Sequence, residues 1–420
     1  MHTVKRIPLM NMLLKLTAAA TFITLTAPNA HATNGMNQES YGAKAGGMGG
    51  ASVAYDSRNS GMMNNPATLA LRPDGWDFGI GFTVLQPDVS AQLGAPNGPN
   101  FASSGSSYLM PSLSLIRKQG AFAYGVGISA QGGMGSEYSG DFAAALTQNQ
   151  LNAPQRSEIG FVRLMLPLAY QVNEALTIAG QIDYGIVTLD LKMLDPATGG
   201  YVSVSDNNPF NGQMKGQGWG YTLGVHYTIN PEFSVGAVYH SQTRLSDLTG
   251  AGTINNTIPT DFRVVDFQWP ANYTVGAAWN IQPNWMLTAD IKRLLWSNTM
   301  KNFNFGPEGY VSPMPMNWQD QTVFMIGTQY KITPDIALRA GFNYGKNPIP
   351  SDTLNYLFPA ITEKHYTLGV GWNLHHGHSI AASFMYAPKV EQTGTGLMNS
   401  GLTMSHSQTA WGFNYNYQFK

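Results

Sequence analysis

Cysteine is absent from the 420 residues, which removes disulfide staples, thiolate metal ligands and cysteine nucleophiles together. Charge is scarce. Asp, Glu, Lys and Arg make up 11% of the chain, against about 25% in ordinary globular proteins, and a water-facing surface built with so few charges would self-associate. A formal net charge of −1 gives no electrostatic reason to expect a nucleic-acid partner. Long apolar runs are missing too: no stretch after residue 32 holds 18 consecutive apolar residues, so membrane-crossing helices are not expected there.

What the chain has instead is glycine, 46 residues, and aromatic side chains: 20 Tyr, 19 Phe and 9 Trp. A charge-poor, aromatic-rich chain without helical spans can still live in lipid as a closed β-barrel, where every backbone polar group is paired between strands. Residues 1–32 read as a secretory signal peptide. His2, Lys5 and Arg6 precede a mostly apolar run from Leu13 to Leu25, and Ala30-His31-Ala32 offers a small-x-small cleavage signal, so the exported chain is expected to start at Thr33.

Period-2 alternation recurs through the rest. In "WGYTLGVHYTI" Trp219, Tyr221, Leu223, Val225, Tyr227 and Ile229 share one face, and Gly220, Thr222, Gly224, His226 and Thr228 the other. The same pattern runs through "FAYGVGIS" at 122, "YTLGVGWN" at 366 and the terminal "WGFNYNYQF" at 411. A soluble β-sandwich would place charges on the polar face; here that face is Gly, Ser, Thr and Asn, which suits a lumen. The fold class expected is all-β, a 14-stranded antiparallel transmembrane barrel over residues 74–420. Short turns such as "NE" at 173, "NPE" at 230 and "TPD" at 333 alternate with connections of about 12 to 23 residues. Short turns face the periplasm in bacterial barrels, which locates the protein in the outer membrane of a Gram-negative bacterium with both termini periplasmic.

Residues 33–73 show no strand pattern. Gly42, Gly46, Gly47, Gly49, Gly50 and Gly61 permit a compact irregular backbone, and such backbone is tolerated at membrane depth only inside protein. The segment is therefore expected as an amino-terminal plug within the lumen, the alternative being a disordered periplasmic tail. Asn65-Pro66-Ala67 stiffens it, because Pro66 fixes its own φ and holds Asn65 extended. "GGMG", with Gly132, Gly133 and Gly135, weakens the end of the third expected strand, near 121–134, and permits a kink; a plain turn at the outer rim would also fit.

The plug sequence "GAKAGGMGGASVAYDSRNSGMMNNPA", the "SAQGGMGSEY" at the end of strand three and "FQWPANYTVGAAWNIQPNWMLTADIKRLLWS" across the expected strands eight (262–280) and nine (285–301) resemble the FadL-type outer-membrane transporters of long-chain fatty acids and aromatic hydrocarbons. The resemblance implies capture of a hydrophobic small molecule by outer loops, a pocket reached by the first plug residues from Thr33, and a sideways exit to outer-membrane lipid at an inward kink of strand three. It places the plug motif on Asn65, Pro66 and Ala67, near the kinked strand, and the kink on Gly132, Gly133 and Gly135. Passive passage through a monomer without a cofactor is the function expected; a general diffusion porin and a non-transporting adhesin or structural barrel are the alternatives.

Strand phase supplies pocket candidates. With Ile178, Ile182, Tyr184 and Ile186 facing lipid, Val187, Leu189 and Leu191 turn inward near the outer end, which suits a greasy ligand better than an aqueous pore. Arg163, Lys292 and Arg339 also turn inward, where each could hold a ligand carboxylate or pair with an inner acid such as Asp183 or Asp290. His375, His376 and His378 lie in a short turn with no carboxylate adjacent in sequence, so no metal is expected. No nucleophile motif accompanies the serines and histidines, so no enzyme is expected.

Overall fold

The computed structural model describes residues 34–195, 200–206 and 212–420; the expected signal peptide and Thr33 lie outside the described residues. Alternation builds the wall. In the strand Met214–Thr228 the outward Trp219, Leu223 and Tyr227 are 61%, 52% and 45% exposed, while Thr222 and His226 on the opposite face are buried. The same outward apolar set continues through Ile80, Phe82, Val126, Ile182, Phe324 and Leu368. A belt of exposed apolar side chains around the whole sheet is what a hydrocarbon surround requires.

From Gly75–Gln92 the sheet passes through Tyr108–Gln119, Phe122–Tyr138, Gln155–Gln171, Leu176–Leu194, Met214–Thr228 and Phe233–His240. It continues through Asn272–Gln282, Trp285–Leu294, Gln321–Lys331, Ile336–Gly345, Lys364–His375, His378–Thr393 and Thr403–Phe419, each strand antiparallel to the last. Thr403–Phe419 then pairs with Gly75–Gln92, from Trp76↔Phe419 to Gln92↔Thr403. The sheet is thereby a closed antiparallel barrel with no free edge at the join.

Among the described residues the sheet contains 21 strands, a correction to the fourteen expected from sequence; the closed circuit itself runs through fourteen of them. The additional members are short strands in the long connections, such as Tyr201–Val204, Leu248–Ile254, Asn302–Pro307 and Ser312–Pro315, which pair with the wall or one another. Loop backbone among apolar side chains needs ladder partners for its N–H and C=O groups. The run expected as one strand over 262–280 also divides, into Ile258–Val265 and Asn272–Gln282. Between them Asp266 holds φ +59° and Pro270 lacks a donor, which interrupts the ladder.

Residues 34–73 fold as short helical turns, Ala43–Gly46, Arg58–Ser60, Gly61–Asn64 and Pro66–Leu71, packed on inward side chains of the wall. Asp290 accepts from the amides of Ser52 (2.6 Å) and Val53 (3.1 Å), Thr367 from Gly49 N (2.8 Å), and Asn343 donates to Gly49 O (3.2 Å). Gly49 sits at φ +67°, and a Cβ there would stand 2.5 Å from the Phe342 carbonyl oxygen. Only glycine meets both demands.

Candidate functional site: a gap in the wall

The strand Phe122–Tyr138 has two edges with different fates. Along one it pairs with Gln155–Gln171 from Phe122↔Tyr170 to Tyr138↔Gln155, with a bulge between Ala130 and Gly132. Along the other it pairs with Tyr108–Gln119 only from Gln119↔Phe122 to Ser112↔Ser129. Beyond that rung stands Pro111, which has no N–H to give, while Tyr108–Pro111 stay paired with Gly75–Gln92 on their far side. The two strands part company there. The seam is recrossed at the long-loop end, where Ser104 N donates to Glu137 O (2.8 Å) and Glu137 N to Ser103 Oγ (2.9 Å). At about 3.3 Å per residue, the open stretch from Ala130 to Ser136 runs roughly 20 Å.

A cavity of about 770 Å³ fills this gap, lined by Leu85, Tyr108, Leu109, Met110, Pro111, Ala130, Gly132, Gly133, Gly135, Phe161 and Ile186 among others. Its lining comes from both faces of the sheet. Leu85 and Phe161 are buried on the inner face, whereas Leu109 (55% exposed) and Ile186 (40% exposed) belong to the outer belt. A cavity bounded by both faces passes through the wall.

The glycines expected at a kink line this cavity, with unequal roles. A Cβ on Gly135 would reach 2.4 Å from the Tyr108 hydroxyl, across the gap. One on Gly133 would meet the Ile159 carbonyl at 2.4 Å, on the edge that stays paired, and one on Gly132 the Met36 carbonyl at 2.1 Å. Gly135 leaves room in the opening, Gly133 leaves room for the neighbouring ladder, and Gly132 admits the amino-terminal segment.

That segment satisfies the backbone groups released where the strands part. Met36 O accepts from Gly133 N (2.9 Å), Gln38 N donates to Gln131 O (3.2 Å), Gln38 Nε2 to Ala130 O (3.1 Å) and the Tyr41 hydroxyl to Gln131 O (2.9 Å). Without these bonds each buried group would cost about 1–3 kcal/mol. Behind Gly132 the ring of Trp269 stacks on Phe161 at 4.4 Å. Met36, Trp269 and Phe161 belong to one apolar cluster with Val187, Leu189, Leu191, Phe262, Phe305, Trp296, Trp318 and Phe358, so the gap opens directly onto the greasy interior of the long-loop half.

The other sequence candidates fall elsewhere. Val187, Leu189 and Leu191 are fully buried in that cluster. Asn65 is extended (φ −158°, ψ 106°) and caps the turn after it by accepting from Ala67 N, with Pro66 at its first position. Its side chain donates to Val53 O (2.8 Å) and Val225 O (2.9 Å), and Gly224 leaves the space that the Asn65 side chain and the Pro66 ring occupy. The hydrogen bonds of the motif thus reach Met214–Thr228, while Ala67 shares an apolar cluster with Ala123 of the kinked strand and Met62 packs against Gly127 there.

Arg163 is buried against Asp183 at 3.1 Å, and Asp183 also accepts from Thr222 (2.6 Å) and Gln181 (2.7 Å). Lys292 lines a cavity of about 10 Å³ with Asp290, too small for an organic ligand. Arg339 is buried near the short-turn end and donates from Nε to Gln329 (2.9 Å). The histidines do meet a carboxylate that sequence adjacency hides: Asp335, on the next short turn, is 3.4 Å from His375 Nε2. His378 turns away to stack on Tyr417 at 4.3 Å, and no metal-holding group occurs among the described residues. Sequence reasoning missed Pro111, Gln131, Trp269 and the Met36–Tyr41 contacts; the proline inside "YLMPSLSL" is the one local signal that could have found the gap.

Comparisons with known proteins identify the fold and the family. The crystal structure of the P. putida toluene transporter TodX superposes with a TM-score of 0.78 at 27% identity, over 91% of this chain and 99% of that one. The Ralstonia pickettii toluene transporter TbuX gives 0.74 at 25% identity, over 91% and 99%. A curated Chlorobium limicola sequence, an uncharacterized protein from the phosphoenolpyruvate carboxykinase gene 5′ region, is 50% identical over 74 residues, 17% of this chain; the match spans about a third of that relative, 36% of its length. The description "Outer membrane protein transport protein (OMPP1/FadL/TodX)" belongs to a family model that matches residues 21–420. The chain belongs to that family, and is an outer-membrane transport protein and not an enzyme.

Proposed function

We propose that the barrel passes small neutral hydrocarbons, of the monoaromatic kind, from its long-loop half through the gap beside Phe122–Tyr138 into the surrounding membrane. Residues 34–73 act as a plug that closes the straight route, and the short-turn rim and both termini face the periplasm. The carrying observation is the apolar cavity of about 770 Å³ that crosses the wall where the ladder stops at Ser112↔Ser129. A molecule soluble in lipid gains nothing from an aqueous exit, whereas a side window delivers it at no cost in rehydration.

A neutral cargo is favoured over a long-chain carboxylate because Arg163, which lies over Phe161 of the apolar cluster, is already compensated by Asp183. A carboxylate entering there would have to displace an acid that holds three partners. The toluene transporters among the structural neighbours support the same choice. Met36–Tyr41 hold the inner side of the window, so their release from Ala130–Gly133 opens the passage.

Uptake of radiolabelled toluene and of oleate by cells lacking other such barrels, with and without this chain, tests the reading. Toluene uptake that depends on the chain is expected. Large ohmic conductance in planar bilayers would instead identify a diffusion porin, and unchanged uptake of both solutes would identify a barrel that does not transport.

A further inference from the structure

At the short-turn end, on the far side of residues 34–73 from the apolar cluster, lies a second cavity of about 240 Å³. Four cations border it: Lys44 and Arg58 from the amino-terminal segment, Lys331 and Arg339 from the wall. Two carboxylates, Asp56 and Asp335, also border it, and both have partners. Asp56 accepts from Arg58 N (2.8 Å) and lies 3.9 Å from Arg72 Nε; Asp335 lies 3.4 Å from His375.

The cations are not matched in the same way. Arg339 is only 9% exposed; its Nε is bonded to Gln329, but its buried Nη1 has no hydrogen-bond partner. Gly371 makes room for this guanidinium, since a Cβ there would stand 2.5 Å from Nη2 and 2.7 Å from Nη1. Lys44 donates to a backbone carbonyl, that of Asp56 (2.5 Å), and lies over the Tyr55 ring. Burial pulls the Lys44 amine down to about 7; Asp56 opposes the shift, while Arg339, Arg58 and Lys331 add to it. A buried guanidinium with one arm unpaired is costly unless an anion completes it, and a planar guanidinium matches a carboxylate in particular. Trp372, Ile336 and Ile380 give the same cavity apolar wall.

We infer that the short-turn mouth is a binding site for a small organic carboxylate, held by Arg339 with Lys44, Arg58 and Lys331 around it. The site is separate from the side window and does not depend on the route proposed for neutral cargo. An aromatic or short aliphatic carboxylate fits its volume, with the ring or chain against Trp372 and Ile380. Such a site would let the barrel sense or retain an acidic relative of its cargo on the side away from the window.

The test uses full-length protein in detergent, with benzoate as probe and benzamide as its neutral isostere, by calorimetric titration at low salt. Saturable benzoate binding is expected, about tenfold weaker in Arg339→Gln and several-fold weaker in Lys331→Gln and Arg58→Asn, with benzamide not binding. Asn tolerates the left-handed backbone that Arg58 occupies at φ +62°, so that variant leaves the turn intact. Benzoate should bind more tightly at pH 6 than at pH 8.5, because Lys44 gains its proton over that range, and Lys44→Met should flatten the dependence. Equal binding of benzoate and benzamide, or wild-type affinity in both Lys331→Gln and Arg58→Asn, overturns the inference.

Discussion

The two edges of Phe122–Tyr138 share one backbone and one sequence, yet one is zipped to Gln155 and the other stops at Ser129. The difference does not lie in residue composition, because both edges use the same residues. It lies in what each edge is offered. On the zipped side Gln155–Gln171 breaks the ladder at Pro167 but resumes it at Gly127↔Met165; on the open side Tyr108–Gln119 presents Pro111 just past the last rung, Gln131 bulges out of register, and the ladder does not resume. An edge released inside a membrane must find other partners, and here Met36, Gln38 and Tyr41 supply them. The window is therefore a strand exchange: a wall strand gives up its place to the amino-terminal segment.

The sharpest way to break this comparison is to load each edge separately. Gly135→Trp places a ring against Tyr108 in the open seam and should lower toluene uptake by at least about tenfold while leaving the heat-resistant folded form seen by gel mobility unchanged. The sequence alone recommends Gly133→Val for the same purpose. The structure points that side chain at the Ile159 carbonyl on the zipped edge, so this variant should reduce the yield of folded barrel instead. If both variants fold fully and lose uptake alike, the two edges are not distinct.

The next effect concerns the segment that closes the exchange. Asn65→Ala removes the bonds to Val53 O, Val225 O and Ala67 N, roughly 3 kcal/mol of local stability at about 1 kcal/mol each. The barrel should persist while residues 34–73 exchange amide hydrogens faster and planar-bilayer conductance rises. Conductance unchanged from the wild type would mean that the other wall contacts suffice to seat the segment.

Much of this was legible in the sequence, for a physical reason. Strand phase is local, so Trp219 and Leu223 outward and Thr222 inward follow from alternation alone, and the buried Val187-x-Leu189-x-Leu191 follows from the same rule. The extended Asn65 follows from the proline after it. Pairing is non-local. That Asn65 docks on Gly224 and that Met36 caps Gly133 depend on residues up to 160 positions apart, which no short window contains, whereas the Arg163–Asp183 pair is one that strand phase already offers. The strand count failed for a related reason: loop strands such as Leu248–Ile254 exist because the chain opposite them is extended too.

A smaller effect follows from pH. Burial raises the Glu39 carboxyl from 4.5 to about 7, with Ser40 and the ammonium of Lys292 opposing the shift. A carboxyl with a raised pKa in the packed state keeps a proton that the released segment would lose. Its contribution to seating is complete below pH 4.5 and fades as pH rises through 7, by roughly 3 kcal/mol at most. Amide protection of residues 34–50 should therefore fall between pH 5.5 and pH 8 in the wild type and stay level in Glu39→Gln. Equal slopes in the two proteins would assign the pH response to another group.

The smallest effect is expected at Pro111, and it separates two accounts of why the seam stops. Pro111 sits opposite Phe82 on its paired side and directly past the Ser112↔Ser129 rung. If the missing N–H alone ended the ladder, Pro111→Ala would let the next rung form and the seam would begin to close. One rung is worth about 1 kcal/mol, however, and the groups it would use are already taken: Ala130 O accepts from Gln38 and Gln131 O from Gln38 N and Tyr41. The bulge at Gln131 would still turn the strand out of register. Toluene uptake by Pro111→Ala should thus stay within about twofold of wild type. Combining Pro111→Ala with deletion of residues 34–38 removes the competing Met36 and Gln38 as well, and there uptake should fall below wild type and below either single change, because the freed Ala130 and Gly133 groups then have only their old neighbour to pair with.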